Sequence, residues 1–65
     1  MNKEELGKAI ANERIKQGIT IRKMAELANT TTRAVQAVEK GWYNVGIETY
    51  LKLAETLNLS LKVGE

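Results

Sequence analysis

The spacing of apolar residues along the chain predicts a series of short amphipathic helices. In the first, Leu6 and Ile10 begin an apolar stripe with helical spacing. Asn2 and Glu5 have the spacing of a capping box, in which each side chain bonds the backbone N–H group of the other residue. Gly18 can adopt the left-handed conformation that ends a helix. The sequence therefore predicts a first helix between Asn2 and Gly18.

The next apolar pattern predicts a shorter helix over about residues 21–28, capped at its start by Thr20. Asn29 tolerates a positive φ and would turn the chain after this helix. Small residues on the inner face would let a neighbouring helix cross it at a steep angle. The residues expected on that face are Met24, Ala25 and Ala28.

A third helix is predicted over about residues 32–39, capped by Thr31 and ended by Gly41. Val35 and Val38 would face inward, so the residues between them and at the helix start would face outward. Two short helices joined by a short polar turn are the outline of a helix-turn-helix unit, whose second helix can enter the major groove of DNA. The outward positions are Thr32, Arg33, Gln36 and Ala37.

The strongest amphipathic pattern predicts a fourth helix over about residues 47–57, ended by Asn58. In the tail, residues 59–65, apolar and polar side chains alternate with the period of two that is typical of a half-buried strand. We expect residues 1–65 to form a single domain. The apolar stripe assigned to the fourth helix consists of Ile47, Tyr50, Leu51, Ala54 and Leu57.

The composition restricts the chemistry that this domain can perform. A chain of 65 residues buries only about 60% of the surface that it exposes on unfolding, so its core is small. The absence of cysteine and histidine excludes a disulfide framework, a zinc finger and histidine-based catalysis. No apolar run approaches the roughly 20 residues that span a bilayer. We expect a cytoplasmic protein without a cofactor, a metal site or a membrane segment.

Charge is distributed unevenly along the chain. Residues 14–40 carry six basic and two acidic side chains, a net charge of +4, whereas the remaining residues sum to −2. A basic middle segment is typical of a protein that binds a polyanion such as nucleic acid. An ordinary solvated surface would also produce it, so the charge pattern alone leaves both interpretations open.

The order of these residues resembles the Cro/repressor (Xre-type) helix-turn-helix family over nearly the whole chain. The residues that carry the resemblance are LG..I...R...G.T...MA..A..T...V..VE.G....G.ET..KLAETLNLSL. The resemblance implies an all-α, lambda-repressor-like domain of four to five helices that binds double-stranded DNA. It also implies that Arg14 and Glu39 form a salt bridge tying the first helix to the third.

The same resemblance places the start of the third helix in the major groove. Arg33 can make bidentate hydrogen bonds to guanine, while Gln36 could read adenine or bond a phosphate. The two smaller side chains could meet the methyl group of thymine. Each of these positions could instead be an ordinary exposed helix position. The candidate base-contacting residues are Thr32, Arg33, Gln36 and Ala37.

Phosphate contacts are expected at the edges of the two short helices. Ile21 departs from the family pattern, which usually has a polar residue there, so a common phosphate contact is lost or replaced. Trp42, the only tryptophan of the chain, could rest on the DNA backbone or on a protein partner, or cover the core. The candidate phosphate-contacting residues are Thr20, Arg22, Lys23, Thr31, Lys40 and Tyr43.

The tail is similar to that of antitoxin-type members of the family. In those proteins a short C-terminal β-strand pairs with its copy across a dimer, whereas a strand left alone would have unpaired backbone groups. Such a homodimer would hold two recognition helices about 34 Å apart over a palindromic site. The predicted dimer interface consists of Leu59, Leu61 and Val63.

Two functions from different classes fit these features. The first is a sequence-specific DNA-binding transcriptional regulator, a bacterial or phage repressor associated with the nucleoid, with an antitoxin that binds a toxin as a further reading. The second is a protein–protein interaction module that keeps the fold without reading DNA and binds through Trp42, Tyr43 and the tail. An enzyme is disfavoured because no nucleophile–base pair and no cleft can be placed in so short a chain.

Overall fold

The computed structural model describes residues 2–42 and 45–58, which form four helices. The helices are α1 (Lys3–Lys16), α2 (Ile21–Leu27), α3 (Thr32–Lys40) and α4 (Ile47–Thr56). The unit formed by α2 and α3 packs against both α1 and α4. The central position of α3, which contacts all three other helices, means that its orientation depends on the whole domain.

Part of the sequence-based prediction lies outside the described residues. This applies to the C-terminal strand, to the dimer interface assigned to it and to the phosphate contact assigned to Tyr43. The interface residues concerned are Leu59, Leu61 and Val63. Within the described residues the all-α fold class is confirmed. Among the helices found there, none combines the length and the apolar character needed to cross a bilayer.

Side-chain caps start the first three helices at the residues predicted from the sequence. At α1, Asn2 Oδ1 accepts a hydrogen bond from the Glu5 backbone N–H at 2.8 Å, and Glu5 Oε1 accepts one from the Asn2 N–H at 3.2 Å. Thr20 Oγ1 and Thr31 Oγ1 each accept from an N–H three residues further on, at 3.0 Å. Such a cap contributes about 1 kcal/mol because it satisfies a backbone donor. The caps therefore determine where α2 and α3 begin.

Residues in the left-handed conformation turn the chain after each helix. In the turn between α2 and α3, the Thr30 N–H donates to the Ala25 carbonyl at 2.9 Å, which closes the end of α2. A short closed turn of this kind leaves little freedom in the angle between the two helices. The left-handed residues are Gly18, Asn29, Gly41 and Asn58, with φ between 55° and 72°.

Buried apolar side chains from all four helices share one core. Ile19, Ile21 and Val45, which lie in or beside the connecting loops, are half-buried against it. This arrangement anchors the loops as well as the helices. The core consists of Leu6, Ile10, Met24, Ala25, Ala28, Val35, Val38, Tyr50, Leu53 and Leu57.

The apolar stripe predicted on α4 is wrong at two positions. Ile47 and Leu51 are 50% and 40% exposed, whereas Leu53, which the prediction omitted, is fully buried. The buried set of α4, positions 50, 53, 54 and 57, also has helical spacing. The helix therefore carries two overlapping apolar stripes, and contact with the other helices buries only one of them.

The backbones of α1 and α3 approach each other closely at Gly7. A Cβ atom at this position would lie 2.1 Å from the Val38 carbonyl oxygen, which is far inside van der Waals contact. Three residues away on both segments, a Cβ at Gly41 would lie 3.1 Å from the Glu4 Cα. Two glycines thus let the end of α3 lie directly on the first half of α1.

Candidate nucleic-acid interface

A salt bridge joins α1 to the inner side of α3. Arg14 Nε donates to Glu39 Oε2 at 2.6 Å, and Arg14 Nη2 donates to Glu39 Oε1 at 3.1 Å. Arg14 Nη1 also donates to the Ile19 carbonyl at 2.7 Å, in the loop before α2. The two side chains are mostly buried, at 12% and 11% exposure. A bidentate pair restricts orientation more than a single contact does, so Arg14 positions α3 relative to α1 and α2.

The outer side of α3 presents polar side chains to solvent. Val35 and Val38 are fully buried, whereas Thr32, Arg33 and Gln36 are exposed. Arg33 and Gln36 are three residues apart, so they lie side by side on the helix surface. An arginine can bond the guanine edge and a glutamine the adenine edge in the major groove. Three of the four predicted base-contacting side chains are therefore accessible to a duplex.

The fourth predicted base contact, Ala37, does not lie on the outer side. Its residue exposure is only 5%, and its carbonyl accepts a hydrogen bond from the Trp42 backbone N–H at 3.0 Å. This bond closes the end of α3, and Trp42 and Val45 line one groove together with Ala37. The prediction that Ala37 is exposed is wrong, because helical spacing alone does not show which positions of a helix other segments will bury.

The predicted phosphate-contacting residues on α2 surround its exposed start. Arg22 and Lys23 are exposed, and the Lys23 ammonium lies 3.8 Å from a carboxylate oxygen of Glu26. An exposed pair of this length is weak and is easily exchanged for another anion. Thr20 and Thr31 use a hydroxyl lone pair for capping, but a hydroxyl also has a proton to donate. Both helix starts can therefore offer hydrogen bonds to a phosphate.

Ile21, the first residue of α2, stands where the family that the sequence resembles usually has a polar residue. Its side chain is half-buried and packs against the core, together with Ile19. These two isoleucines lie on either side of the capping Thr20 and anchor it. The first residue of α2 thus contributes apolar packing to the core.

Trp42 follows α3, and the ammonium group of Lys40 lies over its ring. Lys40 Nζ lies 5.4 Å from the centroid of the Trp42 ring, within the range of a cation–π interaction. Such a contact contributes about 0.5–1 kcal/mol at an exposed site. Trp42 is 44% exposed and is not part of the core cluster. The prediction that Trp42 covers the core is therefore not supported by the structure.

An open groove of about 270 Å³ lies between α3 and the loop that follows it. The groove brings together Arg33, a candidate base reader, and Trp42. Sequence reasoning did not find it, because its walls come from a helix and a loop that share no periodic pattern. The lining residues are Thr31, Arg33, Ala34, Ala37, Trp42 and Val45.

A short helix held on its inner side, with exposed polar residues on its outer side and basic residues beside it, is the arrangement expected of a DNA-binding helix-turn-helix domain. In agreement with this, the family model for helix-turn-helix domains of the Xre/Cro type matches residues 10–63. The chain therefore belongs to the Cro/repressor (Xre-type) helix-turn-helix family. A search among curated proteins finds no match to this sequence.

Membership of this family shows that the protein is a DNA-binding transcription regulator. The family is a regulatory one and not a family of enzymes, which is consistent with the prediction that the chain has no enzyme activity. DNA is thus the partner of this class of protein, and the exposed side of α3 is the candidate surface for binding it.

Proposed function

We propose that the protein is a sequence-specific repressor that binds a palindromic operator as a homodimer. The observation that carries this proposal is the exposed pair Arg33 and Gln36, on a helix whose inner side is held by Arg14 and Glu39. Hydrogen bonds to base edges tolerate little displacement, so a reading helix must keep a defined position. Thr32, exposed beside them, would contact a thymine methyl group.

Contacts to phosphates would place α3 in register on the duplex without reading sequence. Cationic side chains at the start of α2 and at the end of α3 would neutralise phosphates, and the capping threonines would donate hydroxyl protons. The loop after α3 would add one tyrosine hydroxyl. The proposed phosphate-contacting residues are Thr20, Arg22, Lys23, Thr31, Lys40 and Tyr43.

A homodimer would let two copies of α3 enter successive major grooves about 34 Å apart, on one face of the duplex. The proposed interface is the tail, with Leu59, Leu61 and Val63 as its apolar residues. A more specific proposal is that the protein is an antitoxin whose repression depends on a toxin partner. It rests on the resemblance of this tail to antitoxin-type members of the family. Such a regulator would act on the nucleoid of a bacterial cell.

The main test begins with selection of binding sites from random duplex DNA at a stated salt concentration. We expect a palindromic site in which one base position of each half depends on Arg33. The Arg33→Ala variant should lose about 1–3 kcal/mol of discrimination at that position, while its preference at the others persists. A selection that yields no consensus would contradict sequence-specific recognition.

Lys23 provides the matched test of backbone contacts. Lys23→Ala should weaken all sequences alike and lower the slope of log K against log salt by about 0.9, because one phosphate contact is lost. Lys8, an exposed lysine of α1 outside the helix-turn-helix unit, serves as the control. Equal effects of Lys23→Ala and Lys8→Ala would show that only general charge matters.

The dimer is tested separately by light scattering on the full chain and on a chain lacking residues 59–65. We expect the full chain to be dimeric and the shortened chain to be monomeric, with a large loss of operator affinity. A full chain that stays monomeric at high micromolar concentration would count against the dimer but not against DNA binding.

A second candidate function is a protein-interaction module that does not read DNA. The exposed Trp42 and the exposed apolar pair Ile47 and Leu51 favour it, because such side chains occur at protein interfaces. Salt dependence separates the two candidates, since binding to a duplex weakens steeply as salt rises. Absent or salt-insensitive duplex binding would favour the interaction module.

A further inference from the structure

We propose that the groove between α3 and Trp42 holds the sugar–phosphate backbone of one DNA strand, with the indole ring against a deoxyribose and Lys40 at the adjoining phosphate. This inference rests on the proposed DNA-binding function and adds a contact that the base-reading residues do not supply. It gives the only tryptophan of the chain a role in the complex.

The position of the groove is the first support. Arg33, the leading candidate for reading bases, lines it on the same side of the molecule as the exposed start of α3. Thr31, whose hydroxyl caps α3, lines it as well. A strand whose bases are contacted by Arg33 therefore passes beside Trp42.

The chemistry of the groove is the second support. Two alanines and a valine supply apolar surface, Arg33 adds a guanidinium, and the Lys40 ammonium lies 5.4 Å from the centroid of the Trp42 ring. No carboxylate occurs among the described residues that line it. An occupant that is anionic and also has an apolar part matches this surface. The backbone of DNA has both properties, because each charged phosphate is joined to a sugar with C–H faces.

The state of Trp42 before binding is the third support. At 44% exposure, much of its ring is in water, and the Lys40 ammonium lies 5.4 Å from the ring centroid. Covering this exposed apolar surface in a complex would strengthen binding. The pair is thus arranged so that a sugar and its phosphate can be contacted together.

A backbone contact has a consequence that distinguishes it from base reading. The sugar and the phosphate are the same at every base step, so contacts to them position the protein without specifying sequence. Trp42 therefore contributes affinity to every duplex, whereas Arg33 contributes discrimination between duplexes.

The first measurement uses the wild-type chain and the emission of its single tryptophan. The protein is titrated with the selected operator duplex and with an unrelated duplex at low salt, and binding is followed independently by the anisotropy of a label on the DNA. We expect the tryptophan emission to change with both duplexes, in step with the anisotropy.

The second measurement uses variants whose folding has been verified by circular dichroism. Trp42→Ala should weaken both duplexes about five-fold, the effect of covering roughly 40 Å² of apolar surface, and leave the salt slope unchanged. Trp42→Phe should lose only part of this affinity. Lys40→Ala should lower the salt slope by about 0.9. Ile15→Ala removes an apolar side chain that is 63% exposed on α1 and should change neither quantity.

The outcomes separate this inference from the function on which it rests. Duplex binding with unchanged tryptophan emission and unaltered affinity of Trp42→Ala would overturn the groove contact and leave the repressor function intact. A changed sequence preference in Trp42→Ala would also overturn it, since the tryptophan would then be reading bases. Failure of the wild type to bind any duplex at low salt would overturn both.

Discussion

The two sides of α3 differ in how tightly the rest of the molecule holds them. On the inner side, the Val38 carbonyl lies against Gly7, and Glu39 is bound by Arg14 at 2.6 Å. On the outer side, Arg33 and Gln36 extend into solvent. The nine residues of α3 thus have two separate tasks, because one side sets where the helix lies and the other side is accessible to a ligand.

This separation predicts that substitutions on the two sides will change different quantities. Inner substitutions should change the free energy of unfolding, since they alter buried contacts. Outer substitutions such as Arg33→Ala should stay within about 0.5 kcal/mol of wild-type stability and act on DNA binding instead. A loss of stability from Arg33→Ala comparable with that of an inner variant would show that the outer side also holds α3 in place.

The largest loss of stability is expected from Gly7→Ala. A mid-helix alanine would normally stabilise α1 by about 1 kcal/mol relative to glycine. Here the added Cβ would lie 2.1 Å from the Val38 carbonyl oxygen, so α1 and α3 would have to separate. We expect a net loss of about 3 kcal/mol or more, which for a domain of this size lowers the melting temperature by about 12 °C or more.

Gly18→Ala is the matched control for this substitution. Gly18 has a φ of +71° but no atom within 4 Å of an added Cβ, so its cost is backbone strain alone, about 1 kcal/mol. Thermal unfolding of the two variants side by side measures the difference. If Gly7→Ala melted at or above the temperature of Gly18→Ala, the close approach of α1 and α3 would not be the feature that fixes α3.

The second largest loss of stability is expected from Arg14→Ala. Removing the guanidinium leaves the carboxylate of Glu39, 11% exposed, without its partner and the Ile19 carbonyl without a donor. We expect a loss of roughly 2–3 kcal/mol, because an unpaired buried charge is costly. Lys16→Ala, on the exposed side of the same helix, should cost about 0.5 kcal/mol or less. Equal shifts in melting temperature would contradict the role assigned to the salt bridge.

The parts of the fold that could be predicted from the sequence are those fixed by local contacts. Asn2, Thr20 and Thr31 cap their helices because a side-chain oxygen reaches a backbone N–H three residues away. Gly41 adopts a left-handed conformation for a reason that is equally local, the missing Cβ. These contacts involve neighbours in sequence, so the order of the residues is enough to predict them.

The parts that could not be predicted depend on contacts between distant segments. Ala37 is buried beside Trp42 and Val45, and Leu51 is exposed because the other helices contact the other of the two apolar stripes of α4. The contact between Gly7 and Val38 joins residues far apart in the chain. Arg14 and Glu39 are also distant, and only the resemblance to a family suggested their pairing. Base-reading roles remain predictions, since exposure makes Arg33 available without showing what it meets.

The smallest change in stability, a gain, is expected from Tyr50→Phe on α4, in the core that the four helices share. Tyr50 is fully buried, and its hydroxyl has no hydrogen-bond partner among the described residues. Lys3 Nζ, 5.8 Å from the centroid of the ring, donates to the Val45 carbonyl at 2.6 Å. Removing a buried hydroxyl without a partner should stabilise the domain by about 1 kcal/mol at neutral pH. Urea unfolding of the two proteins measures this gain.

The pH dependence of that gain tests its cause. Burial raises the pKa of Tyr50 above its ordinary value of 10.0, because the ionised form loses its hydration. Above pH 10 the unfolded chain therefore releases this proton while the folded chain retains it, so wild-type stability falls as the pH rises. Tyr50→Phe has no such proton, and its advantage over the wild type should widen above pH 10. An advantage that stays constant or shrinks there would mean that the hydroxyl is hydrated or paired, and that the core around Tyr50 is less dry than the exposures of its side chains indicate.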